Sequence, residues 1–106
     1  MRRIYIAGPM TGLPEYNYPA FHAEAARLRA LGYIVENPAE NPKQPSWFMY
    51  MRQALRQMLT CDAIALLPGW ANSKGALLER YVGQMVGLQI LRAGQIVTEE
   101  QDVCPA

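Results

Sequence analysis

Cys61-Asp62-Ala63-Ile64-Ala65-Leu66-Leu67, closed by Pro68-Gly69, is apolar at nearly every position. A strand with one wet face alternates apolar and polar residues, whereas a short continuous apolar run reads as a strand covered on both faces, the hallmark of a parallel sheet. Pro68-Gly69 ends it. Directly before it, Ser46 is a plausible N-cap for a helix reaching Leu59. On that helix Trp47, Met51, Ala54, Leu55, Met58 and Leu59 share one face, and Arg52, Gln53, Arg56 and Gln57 look outward. Directly after it, Ser73-Lys74-Gly75-Ala76-Leu77-Leu78-Glu79 opens another helix.

The same alternation holds further out. Residues 3–7 form a short β-branched and aromatic run ending at Gly8-Pro9. Residues 19–31 carry Phe21, Ala25, Leu28 and Leu31 at helical spacing, and Gly32 stops them. Tyr33-Ile34-Val35 reads as a second strand. Over 37–45, Pro38, Pro42 and Pro45 exclude a regular element and indicate a semi-rigid loop. Residues 89–91 and 95–97 read as one interrupted strand or two, broken at Ala93-Gly94. The expected architecture is α/β, a three-layer Rossmann/flavodoxin-like sandwich with a four- or five-stranded, mainly parallel sheet. One domain over 1–98 with a C-terminal tail over 99–106 suits a chain of 106 residues.

Such sheets bind small molecules outside the carboxyl ends of the strands, where the strand order reverses. The first and third strands end in Gly8-Pro9-Met10-Thr11-Gly12 and Pro68-Gly69-Trp70-Ala71-Asn72-Ser73, so both loops are expected to meet at one pocket. Gly8 and Gly12 let backbone amides face an anion. Ser73 and Gly75 put a hydroxyl and free amides at a helix N-terminus, whose partial positive charge suits a phosphate. Turn formation is the simpler use of those glycines. The first loop is neither a lysine phosphate loop nor a dinucleotide fingerprint, because Leu13-Pro14 follows Gly12.

Glu79 is the residue with most chemical promise. Helix positions four apart stack on one face, so Gly75, Glu79, Gly83 and Gly87 are expected in one row where only Glu79 extends beyond Cα. Glycine costs a helix interior about 1 kcal/mol relative to alanine, so the row suggests a close approach. Either a ligand comes near a candidate nucleophile, or the helix packs on the sheet with a solvated Glu at its rim.

Composition narrows the partners. Lys plus Arg total 10 against 9 for Asp plus Glu, so no net field draws the chain to a nucleic acid polymer or an anionic membrane. There is no apolar run of signal-peptide or membrane-spanning length, and a cytoplasmic location is expected. Cys61, Cys104 and the sole histidine, His22, give no disulfide framework, metal spacing or histidine triad, and no cofactor is expected. Asp62 reads as a strand-start residue. Met49, Met51 and Met58 read as core or interface filler. Trp70 either stacks on a base or plugs the gap between loop and sheet. Tyr16, Asn17, Tyr18, Trp47 and Tyr50 either cover the pocket with the proline loop or pack the domain.

Taken together, residues 4–12, Cys61-Asp62, Leu67-Pro68-Gly69-Trp70 and the helix over 73–88 resemble the nucleoside 2-deoxyribosyltransferase-like superfamily, specifically its small branch labelled DUF4406. The resemblance covers roughly residues 3–91. It implies that Glu79, in a Gly-x-x-x-Glu helix, attacks the anomeric carbon of a deoxyribosyl nucleoside or nucleotide, and that Tyr5 holds its carboxylate. The implied chemistry is retaining: a covalent sugar ester forms and is then hydrolysed or captured by a second base. A serine at position 73 leans toward a nucleoside 5′-monophosphate, with Thr11 and the amides near Gly8 and Gly12 sharing the anion and Asn72 or Lys74 as further contacts. Members of that superfamily complete their pockets at subunit interfaces. The apolar faces Trp47-Phe48-Met51 and Leu77-Met85 therefore point to a homodimer or higher homo-oligomer.

One position departs from the resembled pattern. Active members carry a second carboxylate where this chain has Ala54, and a positioned general acid is typically worth about 10²- to 10⁴-fold. Glu15, Glu36 or Glu40 is the expected substitute; otherwise the chain is slow, or binds nucleotides without catalysing. A third possibility is an interaction protein that uses the fold only as a scaffold.

Overall fold

The computed structural model describes residues 2–97, so the expected tail over 99–106, with Cys104, lies outside the described residues. In chain order the elements are β1 (Arg3–Ala7), α1 (Tyr18–Ala30), β2 (Ile34–Glu36), α2 (Trp47–Met58), β3 (Ala63–Leu66), α3 (Lys74–Met85) and β4 (Gln89–Arg92). Short 3-10 turns stand at Pro14–Asn17, Pro38–Glu40 and Trp70–Asn72. The strands form one four-stranded sheet in the order β2-β1-β3-β4, every pairing parallel.

Side chains alternate across a strand, and that alternation splits the core in two. Ile4 and Ile6 of β1 and Ala63 and Ala65 of β3 join Phe21, Ala25 and Leu28 of α1. Tyr5, Ala7, Ile64 and Leu66 belong to the opposite face, with Ala54 and Met58 of α2 and with Val82 of α3 packed against them. The sheet is thus sandwiched between α1 and the α2–α3 pair, an arrangement compatible with a Rossmann/flavodoxin-like sandwich. The apolar β3 run is buried along its whole length, as a strand with both faces covered must be.

Local signals account for most boundaries. Ser46 Oγ accepts from Met49 N at 3.2 Å and Ser73 Oγ accepts from Ala76 N at 3.2 Å, so each serine caps the helix that follows it. Asp62 Oδ2 accepts from Arg3 N at 3.0 Å and Arg2 N at 3.1 Å, tying the start of β3 to that of β1. Those two amides, Arg3 first, hold its carboxyl below the usual aspartate range. Its structural reading holds.

Several expectations need correction. Residues 95–97 are not a strand: the chain turns after β4, Gln95 N donating to Arg92 O, and Ile96 returns into the α1-side core. The sheet therefore has four strands. Gly87 is not part of the helical row, because α3 ends at Met85 and Gly87 adopts φ +87°, the left-handed geometry that terminates a helix. Gly83 does face something close, but it is the sheet: a Cβ there would lie 2.3 Å from Ile64 Cδ1. The proline segment holds a 3-10 turn at Pro38–Glu40, started by Asn37 Oδ1 accepting from Ala39 N at 3.0 Å. Trp47 and Leu59, assigned to the buried face of α2, are exposed near the ends of that helix. Among the described residues no helix is long and apolar enough to cross a membrane, and no group of three or more His, Cys, Asp or Glu could hold a metal ion.

Candidate functional site

β1 lies between β2 and β3, so the chain passes from one side of β1 to the other between α1 and α3. The loops after β1 and β3 begin side by side, Leu67 N donating to Ala7 O at 2.8 Å. A cavity of about 820 Å³ opens there, bounded by residues 8–11, 41–47 and 72–76 together with Tyr16, Tyr18, Phe21, Pro38, Tyr50, Met51 and Glu79. Its position is the one expected at the reversal of a parallel sheet.

Glu79 stands on the first turns of α3 and is the only carboxylate among the described residues that line this cavity. Its side chain is taken almost wholly out of water, and its hydrogen-bond partner is the hydroxyl of Tyr5, which donates to Oε2. Tyr5 is fully buried in the middle of β1, so the donor is held by the sheet itself. Burial drives the Glu79 carboxyl up to about 8, against the opposing pull of the Tyr5 hydrogen bond. The Tyr5 phenol is held well above its ordinary value by burial and then by the neighbouring Glu79 charge.

The expected anion-binding residues are partly brought together. Gly8, Pro9, Met10 and Thr11 form one wall, and Asn72, Ser73 and Gly75 another. Gly75 faces the Met51 thioether, with its Cβ position 3.3 Å from Sδ. Lys74, Gly75 and Ala76, the first turn of α3, stand on the same wall, with the Ala76 amide bonded to the Ser73 hydroxyl. Lys43 and Lys74 also line the cavity, Lys74 Nζ lying 4.8 Å from the centre of the Trp47 ring. Gly12, Gly69 and Trp70 stand outside the lining. Trp70 packs against the α2–α3 core with the Arg80 guanidinium 5.3 Å from its ring centre, the packing alternative rather than the stacking one.

None of the acids considered in place of Ala54 reaches the cavity. Glu36 accepts from Arg3 at 2.6 Å and from Gln57 at 3.0 Å, Glu40 is held by Arg29 at 2.8 Å, and Glu15 lies outside the lining. Ala54 itself is fully buried beside Tyr5 and Met58.

The proline loop contributes more to the cavity than sequence reasoning assigned to it. Asn41, Lys43 and Gln44 line it, and Lys43 was not singled out as a binding residue. The available signal was positional: a loop leaving β2 in a parallel sheet must start at the same edge as the loops after β1 and β3. Tyr16, Tyr18, Trp47 and Tyr50 line the cavity beside the proline loop, while Asn17 instead donates from Nδ2 to Pro9 O at 3.0 Å. That turn is strained, because Glu15, Tyr16 and Asn17 all have positive φ, at 51°, 52° and 61°.

Over residues 2–92 the chain matches the family described as "Domain of unknown function (DUF4406)", and it belongs to that family. No curated protein matches the chain.

Proposed function

We propose that this member of the DUF4406 family cleaves, or transfers the sugar across, the N-glycosidic bond of a deoxynucleoside 5′-monophosphate, with Glu79 as nucleophile. The observation that supports this most is a buried carboxylate on the cavity wall that, among the described residues, is held by the Tyr5 hydroxyl and by no ion pair. Desolvation that raises a carboxyl to about 8 is costly to the fold and unnecessary for packing, and such groups concentrate where chemistry is done. In this reading Glu79, once ionised, attacks C1′ as the base departs through an oxocarbenium-like transition state, and water or a second base resolves the ester. The monophosphate rests near the start of α3, where the Ser73 hydroxyl, the Lys74 and Gly75 amides and the Lys74 side chain provide donors and positive charge. The protein would meet its substrate in the cytoplasm, and the nucleoside 2-deoxyribosyltransferase-like superfamily supplies the precedent for this chemistry.

The test is incubation with the four common deoxynucleoside 5′-monophosphates, base release being followed by chromatography. Release by the wild type and its loss in Glu79→Gln support the proposal; release that persists in the variant would sink it. A second reading, a nucleotide-binding module without turnover, is favoured by Ala54 and by the lack of another carboxylate on the lining among the described residues. Thermal stabilisation by the monophosphates with no base released would select it.

We also propose a homodimer, or higher homo-oligomer, joined through α2 and α3. Phe48 is 72% and Met85 67% exposed, and Leu77 and Tyr81 extend that apolar surface. Sedimentation of the wild type against Phe48→Glu and Met85→Glu decides it, a monomeric wild type being the contrary result.

A further inference from the structure

We infer that Tyr50 is the hydrogen-bond donor to the departing base, a role no carboxylate fills among the described residues that line this cavity; the inference rests on the glycosidic reading above. Tyr50 stands on the first turns of α2, lines the cavity that Glu79 enters, and packs its ring against the Tyr5, Ala54 and Met58 cluster. Helix spacing sets it on the same face as Ala54, one turn nearer the cavity. The ring is therefore anchored while its hydroxyl is offered to the cavity.

Other hydroxyls on the lining are less suited. Ser46, Thr11 and Tyr16 are exposed, Ser73 is assigned to the phosphate at the start of α3, and Tyr18 sits in an aromatic file with Tyr16 and His22 at 5.9 and 6.2 Å. Tyr50 Oη donates to the Met10 thioether at 3.0 Å, and sulfur is a weak acceptor that a base nitrogen readily replaces. Burial, and then the nearby Glu79 charge, keep its phenol far above its ordinary value, so Tyr50 retains its proton throughout the physiological range.

The role assigned to it is a hydrogen bond to the departing base rather than donation of the proton itself. As a Glu79 oxygen bonds to C1′, the C1′–N bond breaks and its electron pair goes to the base nitrogen. The Tyr50 O–H steadies that developing charge from a water-poor wall. Over the whole hydrolysis one water is consumed, its proton ending on the base and its hydroxyl on C1′.

The experiment compares wild type, Tyr50→Phe and Glu79→Gln on two substrates. One is the deoxynucleoside 5′-monophosphate that the wild type cleaves fastest; the other is 4-nitrophenyl 2-deoxyriboside 5-phosphate, whose leaving group needs no donor. Tyr50→Phe is expected to lower kcat on the nucleotide about 10²-fold and to change turnover of the nitrophenyl compound less than about threefold. Its affinity for 2-deoxyribose 5-phosphate, which has no base, should equal that of the wild type. Equal losses on both substrates, or lost binding of the sugar phosphate, would make Tyr50 structural and overturn the inference. Unchanged nucleotide turnover in Tyr50→Phe beside a dead Glu79→Gln overturns it alone. Base release by Glu79→Gln, or none by the wild type, removes the underlying reading and this assignment with it.

Discussion

Two glutamates of this chain are almost equally hidden from water, Glu24 at 7% exposure and Glu79 at 6%, on opposite faces of the same sheet. Glu24, on α1, accepts from Arg27 at 2.8 and 2.9 Å and from Gly94 N at 3.0 Å. Burial pushes its carboxyl up, but the Arg27 and Gly94 hydrogen bonds outweigh it and hold the group below its ordinary value. Glu79 has a tyrosine instead of an arginine, and burial wins. Similar surface exposure thus accompanies a carboxyl held down on one side and one pushed up on the other, because Glu79 lies deeper in the protein and has a tyrosine where Glu24 has an arginine. The strained left-handed turn at Glu15, Tyr16 and Asn17 also borders the cavity, so the costs in this fold gather on that side.

The sharpest way to break the contrast is to neutralise each glutamate. Glu79→Gln is expected to lower base release by about 10⁴-fold or more, and Glu24→Gln to leave it within about threefold. Glu24→Gln should instead cost about 1–2 kcal/mol in chemical denaturation, since Arg27 keeps some solvent contact. Comparable loss of turnover in both would end the distinction.

Stability against pH sharpens it next. The unfolded Glu79 ionises near 4.5, but in the fold it holds its proton up to about 8. Its contribution is therefore fully present below pH 4.5 and is lost as pH rises toward 8. Relative to Glu79→Gln, the wild type should lose a few kcal/mol between pH 4.5 and 8 in urea denaturation. Glu24 has the opposite sign: its stabilisation is present above the unfolded pKa and fades as pH falls through the lowered folded value. A flat difference curve for Glu79→Gln would mean that the carboxyl is not desolvated.

Kinetics carry the same signature. If Glu79 is the nucleophile proposed above it must be ionised, so log kcat/KM should rise with unit slope to a plateau above about pH 8. Tyr5→Phe removes the hydrogen bond that favours the ionised form, and the rising limb should move upward by about one pH unit. A limb that stays in place or moves down would show that Tyr5 does not hold the charge. The smallest effect concerns the strained turn: Glu15→Gly should raise stability by about 1 kcal/mol, read from thermal unfolding, because glycine accepts positive φ at no steric cost.

Much of this was legible along the chain. Arg3–Ala7 and the Ala63–Leu66 core of the third strand follow from local apolar pattern, and the Ser46 and Ser73 caps from their place before apolar periodicity. Glu79 stood out because spacing puts it on a helix that starts at a strand's carboxyl end. Less legible were features that depend on a neighbour distant in sequence. The row of glycines looked like one surface, yet Gly83 packs on Ile64, Gly75 faces Met51 and Gly87 ends the helix. The sequence leaves Trp70 open between stacking on a base and plugging the gap beside the sheet, and its packing on the core with Arg80 over its ring decides for the plug.

By itself, then, the order and periodicity of apolar residues determined an α/β sandwich with a parallel sheet and the identity of its principal acid, because those are one-dimensional signals read within a few residues. Only the tertiary structure decided what that acid is worth. The Tyr5 hydroxyl that meets Glu79 comes from a strand 74 residues away in sequence, and among the described residues no arginine is folded against Glu79 as Arg27 is against Glu24. A carboxyl's protonation depends on the water and charges around it in space, and that environment exists only once β1, α2 and α3 have packed.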